Sequence, residues 1–177
     1  MSGRRRISDV HAAVEVPSFA SVAERHLDDV HSYLVYFTRD RGLAEDLTGE
    51  TFERALRQWR RFDPRRGSAR TWLCQLARTT ALDHFRAEQR RRRREHTYVI
   101  EQQPVEDDLF GGLSPALEKA LGELSAGERE VLALRVLLDL DGVAAAKVLG
   151  ISVTNCNTRL SRALKKLEER MSADVAA

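Results

Sequence analysis

Near the end of the chain, Val153, Cys156, Leu160, Leu164, Leu167 and Met171 recur every three or four residues. That spacing places them on one stripe of an α-helix, which turns once in about 3.6 residues. A one-sided helix needs an apolar partner, and the rest of the chain supplies more helices of the same kind. Phe19, Val22, His26/Leu27, Val30, Tyr33/Leu34 and Phe37 share a helical face. So do Leu43, Leu47, Phe52, Leu56 and Trp59, and then Trp72, Leu73, Leu76, Ala77 and Phe85. No stretch alternates convincingly as a strand would, so the sequence predicts an all-α chain.

Breaks and caps divide these helices into two groups. The stretch "RFDPRRGS" interrupts the period with Pro64 and Gly67, and Ser68 is placed to cap the helix that follows. A second helix is expected after Gly42, with Glu45 and Asp46 in its first turn, where the helix dipole favours acids. The segment "RRRRREHTYVIEQQPVEDDLFGGL" has no helical period and reverses its charge, as a flexible linker does. Beyond it Pro115 opens a short helix, and Ser125 with Glu128 forms a capping box. Asp141 caps "GVAAAKVL", Gly150 ends it, and Ser152 caps the last helix. The expected organisation is a tail at 1–18, a helical domain at 19–94, a linker at 95–113, a second helical domain at 114–171 and a tail at 172–177.

The 177 residues hold no apolar run of the roughly 18 that a membrane span requires, and the basic start has no apolar segment behind it. Cys74 and Cys156 stand far apart in helical patterns, which suits neither a disulfide framework nor a zinc site. The expectation is a reduced, cytoplasmic protein with no membrane contact, metal or cofactor. The net charge of +2 conceals segregation. Asp40 to Glu53 holds five acids against Arg41 alone, while Arg57 to Arg94 holds thirteen arginines against Asp63, Asp83 and Glu88. A basic block of this kind suits a polyanion, because each neutralised phosphate releases counterions.

The C-terminal pattern of helix, tight turn at Gly150 and polar-faced helix has the plan of a helix-turn-helix. In that plan the first helix braces the second, whose early side chains reach base edges in the major groove. Opposite the apolar stripe lie Thr154, Asn155, Asn157, Arg159, Arg162, Lys165 and Lys166. Asn can pair with adenine and Arg with guanine through two hydrogen bonds, and the later lysines suit phosphates. An ordinary amphipathic bundle helix would share the stripe, and Cys156 on it reads as core. In the first domain a basic loop leads into a helix bearing Trp72, Gln75, Arg78 and Arg86. Arginines beside aromatics can track a single strand and hold an unstacked base, although periodicity alone gives Trp72 to the core. There is no nucleophile–base pair, Gly-rich phosphate loop or metal cluster, so catalysis is not expected.

Three stretches in order, "AEDLTGETFERAL", "FDPRRGSARTWLCQLARTTALDHFR" and "REVLALRVLLDLDGVAAAKVLGISVTNCNTRLSRALKKL", resemble the sigma-70 family. The resemblance covers residues 19–94 and 114–171 and is to the compact extracytoplasmic-function group, which keeps only regions two and four. It implies a bacterial transcription initiation factor with core RNA polymerase and promoter DNA as partners, and an anti-sigma factor as a further partner class. By the resemblance, Asp46, Leu47, Gly49, Glu50 and Glu53 dock on a coiled coil of the polymerase's largest subunit. A mid-helix Gly49 costs about 1 kcal/mol against alanine, which a close partner would explain. Arg61, Phe62, Arg65, Arg66, Ser68, Arg70, Thr71, Trp72, Gln75 and Arg78 correspond to the part that melts and captures the minus-ten element. Ser152, Thr154, Asn155, Asn157, Thr158, Arg159, Arg162, Lys165 and Lys166 correspond to the reader of the minus-thirty-five element.

The chain departs from the family pattern twice. Val143 and Ala144 stand where a pair of acids is common, and "TNCNTR" replaces a Gly-Thr-Val-Lys-Ser-Arg-like run that shares only the arginine, here Arg159. Two other functions fit the residues without the resemblance: a helix-turn-helix regulator binding duplex operators alone, and an RNA-binding adaptor using the arginine block.

Overall fold

The computed structural model describes residues 17–94 and 114–175, and all the elements among them are helical. The segment 95–113 expected as a linker, and both expected tails apart from residues 17, 18 and 172–175, lie outside the described residues. Helix α1 spans Phe19–Thr38, α2 Arg41–Gln58 and α3 Ala69–Arg94. After the gap come α4 (Pro115–Gly122), α5 (Ala126–Leu132), α6 (Gly142–Leu149) and α7 (Val153–Val175).

The boundaries follow local chemistry. Ser18 and Asp40 accept the orphan N–H groups of Ser21 and Leu43, so α2 starts at Arg41 rather than after Gly42. Glu45 and Asp46 therefore sit beyond the first turn, where the helix dipole no longer favours acids over other residues. Ser68 accepts from the Thr71 N–H at 3.1 Å, and Ser125 with Glu128 closes the capping box on α5. Asp141 caps α6, Ser152 caps α7, and Gly150 between them adopts the left-handed φ of 67° that ends α6. Between α5 and α6, residues Ala133–Leu137 form a wider turn, with the Leu138 N–H reaching the Ala133 carbonyl at 2.9 Å.

Helices α1, α2 and α3 pack on one another around Val30, Tyr33, Leu34, Leu47, Leu73, Ala77 and Ala81. Alanines at 44, 55, 77 and 81 are fully buried, and such small residues let helix backbones approach closely. Thr48 and Thr51, buried on α2, return their hydroxyls to the carbonyls of Ala44 and Leu47 at 2.6 Å each. The inner face of α2 is thus partly made of small and hydroxylated residues that the hydrophobic reading passed over. Leu56, expected inside, is 59% exposed, and Leu27 is also exposed.

Helix α7 lies across α4, α5 and α6, with Cys156 and Ala163 fully buried. The contact stripe is rotated from the one expected: Val153 and Leu164 are exposed, and the small Ala163 takes the inner position. The two groups of helices share one core. Val131, Ala133, Leu134, Leu138, Ala145, Ala146, Val148, Leu149 and Cys156 are continuous with the buried side chains of α1–α3. Helix α6 rests on α3, and α5 with the turn after it rests on α1.

Candidate functional site

The outward face of α7 is built as a presenting surface. Cys156 and Ala163 hold the helix by one side, and Thr154, Asn155, Asn157, Thr158, Arg162 and Lys165 stand exposed on the rest. Ser152 spends its hydroxyl on the Asn155 N–H at 3.2 Å, and Thr158 donates to the Thr154 carbonyl at 2.9 Å. Ser152 thus shapes the start of the helix. Asn157 sits beside the first turn of α6, its Oδ1 3.4 Å from where a Cβ on Gly142 would lie. Arg159 is only half-exposed, because its guanidinium lies against α5, 3.1 Å from where a Cβ on Gly127 would begin. Lys166 is not a free phosphate-holder: its ammonium sits 2.7 Å from Glu128 Oε1. That bond leads the causes holding the Glu128 carboxyl down to about 2, with hydrogen bonds from Ser125 adding to it. Lys165 faces Glu169 at 3.7 Å on the exposed surface.

The basic loop before α3 folds into a cradle. Two tight turns, Trp59–Arg61 and Pro64–Arg66, lead to Gly67, whose φ of 151° disfavours an L side chain. Arg61, Phe62, Arg66, Ser68, Thr71, Trp72 and Gln75 line one hollow of about 280 Å³. Its aromatic wall is a cluster: Trp59 stacks on Phe62 at 4.8 Å, and Trp72 tilts against both at 5.8 and 5.4 Å. Trp72 therefore packs in the aromatic cluster and lines the hollow at once. Thr71 is buried, its hydroxyl 2.9 Å from that of Ser68.

The remaining three residues expected in this group turn elsewhere. Arg65 folds back onto Asp63, whose carboxyl lies below its ordinary range because of that hydrogen bond. Arg70 Nε lies 2.8 Å from Asp29 on α1. Arg78 Nε donates to Glu130 Oε1 at 2.7 Å, and the Tyr33 hydroxyl donates to the same oxygen at 2.8 Å. Tyr33 is fully buried, and burial above all holds its pKa well above the ordinary value. One cation lining the hollow escaped the sequence reading: Lys147 comes from α6, far along the chain, and donates to the Arg66 carbonyl. No local signal could have found it.

On α2, Asp46, Gly49, Glu50 and Glu53 are exposed along the outer side, and a Cβ on Gly49 would meet nothing within 4 Å. Leu47 is 1% exposed and belongs to the core, so it cannot itself touch a partner on that face. Cys74 is fully buried, and burial pushes its thiol up to about 12. Among the described residues no cluster of His, Cys, Asp or Glu could hold a metal ion. None of their helices is long and apolar enough to cross a membrane.

Residues 22–91 match the family described as Sigma-70 region 2, and residues 114–167 match Sigma-70, region 4. The ECF RNA polymerase sigma factor SigM of Bacillus subtilis is 31% identical over 161 residues, covering 83% of this chain and 91% of that protein. The chain belongs to the extracytoplasmic-function group of the sigma-70 family. BldN of Streptomyces coelicolor, another such factor, is 30% identical over 167 residues, and the match spans 92% of this chain but 63% of that longer protein. The solved structure of CnrH with the cytosolic domain of CnrY superimposes with a TM-score of 0.63 at 25% identity, covering 88% of each chain. The sigma factor RpoE in complex with the anti-sigma factor NepR, from Bartonella quintana, shares the fold with a TM-score of 0.75 at 24% identity, covering 88% of this chain and 98% of that one. As a sigma factor the protein directs RNA polymerase to promoters through regions two and four, and it is not an enzyme.

Proposed function

We propose that this sigma factor divides promoter recognition among three surfaces, in units spanning 19–94 and 114–171 with 95–113 as the connection. The acidic outer side of α2, with Asp46, Gly49, Glu50 and Glu53, is the polymerase handle, and Leu47 supports it from within. The cradle before α3 captures the opened minus-ten strand. The exposed side of α7 reads the minus-thirty-five duplex, Asn155, Asn157 and Arg159 at base edges and Arg162 and Lys165 at phosphates. The observation that supports this most is the hollow itself, which gathers Arg61, Phe62, Arg66, Trp72 and Gln75 from a stretch of fifteen residues. Cations for the backbone and aromatic rings for a base are what single-strand capture needs.

The work takes place in the cytoplasm, where polymerase and promoter meet. A protein inhibitor belongs to the same reading, since the similar CnrH has been solved in complex with the cytosolic domain of CnrY. The test is transcription from a promoter library by core polymerase with and without the chain. New starts that require both components are expected. Binding of duplex DNA by the chain alone, with no promoter-specific start, would favour the stand-alone regulator instead.

A further inference from the structure

The cations of α7 differ in what holds them. Lys166 sits on Glu128 and Arg170 on Glu123, each at 2.7 Å, and Lys165 faces Glu169. Arg159 makes no ion pair or side-chain hydrogen bond among the described residues. Its guanidinium instead lies back over α5, with Nη1 3.1 Å and Cζ 3.9 Å from where a Cβ on Gly127 would stand. Atoms in contact settle at about 3.5 Å or more, so this resting place exists only because residue 127 has no side chain. Glu128, the acid next to it, is engaged by Lys166 and by the Ser125 N–H and hydroxyl. The arginine therefore has room at Gly127 and no acid to keep it there. Asn157 beside Gly142 differs, since its Oδ1 would stand 3.4 Å from a Cβ there, an ordinary contact that asks nothing to move.

We propose that Gly127 of α5 sets how strictly the chain reads one base pair of the minus-thirty-five element, by giving Arg159 a place to retreat. The proposal rests on α7 being the duplex reader. Extended, the Arg159 guanidinium gives two hydrogen bonds to a guanine. Over any other base it is stripped of water without full partners, which is costly. A retreat over Gly127 avoids that cost, so a promoter with another base there loses a contact without meeting a penalty. The retreat also holds back guanine binding, because only the extended fraction is competent. Gly127 thus lowers discrimination and widens tolerance as a positioning residue, acting through Arg159.

The test is selection from a randomised minus-thirty-five library by core polymerase carrying the full chain. The chain is used as wild type, Gly127→Ala, Arg159→Ala, the double variant of these two, and Gly142→Ala. Gly127→Ala adds the methyl that Arg159 must leave, and alanine is the better helix former, so this variant should melt no lower than wild type. It should raise the preference for guanine at the Arg159 base pair about fivefold, because the competent arginine is no longer a minor state. The double variant should select the same sequences as Arg159→Ala, and Gly142→Ala the same as wild type. A guanine preference unchanged or weakened in Gly127→Ala, with the base pair lost in Arg159→Ala, would overturn the retreat and leave the reading face standing. So would a lower melting temperature, or a narrowing that persists in the double variant or is shared by Gly142→Ala. Wild-type selection by Arg159→Ala would overturn both the retreat and Arg159 as a reader.

Discussion

At Gly49 the open space around the position separates a folding role from a binding one. Alanine there should be accepted by the fold and stabilise it by about 1 kcal/mol, because glycine is the poorer helix former. If the α2 face docks closely on polymerase, the same Gly49→Ala variant melts higher yet binds core polymerase more weakly; thermal melting and a core-binding assay read the two effects. On α7, Asn155→Ala and Arg159→Ala should alter which sequences are selected from a randomised minus-thirty-five library, each losing about 1–3 kcal/mol of discrimination at one base pair. Selection that yields the same sequences for both variants as for wild type would remove this face as a base reader. Lys166 is a different case, since its charge is already engaged. Glu128 has a folded pKa of about 2 against an ordinary 4.5, so it binds its proton more readily when unfolded. Its contribution is therefore present above the ordinary value and is lost as the pH falls from there towards 2. Thermal melts between those limits should show a shallower acid loss in Lys166→Met than in wild type.

The elements carry charge in patterns that no single residue shows. Helix α2 keeps a small-residue inner side and an acidic outer one, which leaves its outer charges free to vary without disturbing the core. Reversing both Asp46 and Glu50 to lysine should leave the helical spectrum unchanged and weaken core polymerase binding, since complementary charge orients docking. A double variant that binds as tightly as wild type would place the handle elsewhere. The loop before α3 makes a contrasting prediction. Arg65→Ala with Arg66→Ala should reduce open-complex formation, followed by permanganate reactivity of unpaired thymines, more than it reduces polymerase binding. Equal loss of both steps would mean that the loop acts through its structure. Arg65 is held by Asp63 in the free chain, so part of the cost of using it on a phosphate is the release of that partner.

For the whole molecule the decisive feature is the shared core. Leu134 belongs to the second group of helices, is fully buried, and is continuous with the side chains of α1 and α3. Leu134→Ala should cost about 2–5 kcal/mol, as buried leucine truncations do. If the core is continuous in solution, this loss lowers the melting of α1–α3 together with α4–α7 in one transition. Calorimetry would separate that outcome from two independent transitions, of which only the second would move.

Most helices, their caps and the helix-turn-helix were legible from local spacing, because each depends on contacts within a turn or two, although the Asp40 cap that starts α2 was not. Ser68, Ser125, Asp141 and Ser152 cap the helices expected of them, and Gly150 turns where a left-handed residue was needed. Seven of the ten residues expected together line the cradle, being close along the chain, whereas Arg65, Arg70 and Arg78 turn to acids and Lys147 arrives from α6. Only the tertiary packing set where the covered side departs from the apolar stripe. Ala163 rather than Leu164 faces inward on α7, and Leu56 faces out on α2, because a helix's buried stripe is set by what lies against it. It also decided the fate of the charges. Arg78 and Glu130 are 52 residues apart, Tyr33 and Glu130 are 97 apart, and Lys147 enters a hollow made by residues 61–75. A helix needs only its own neighbours to form, whereas an ion pair across two groups of helices exists only once their shared apolar core has brought them together.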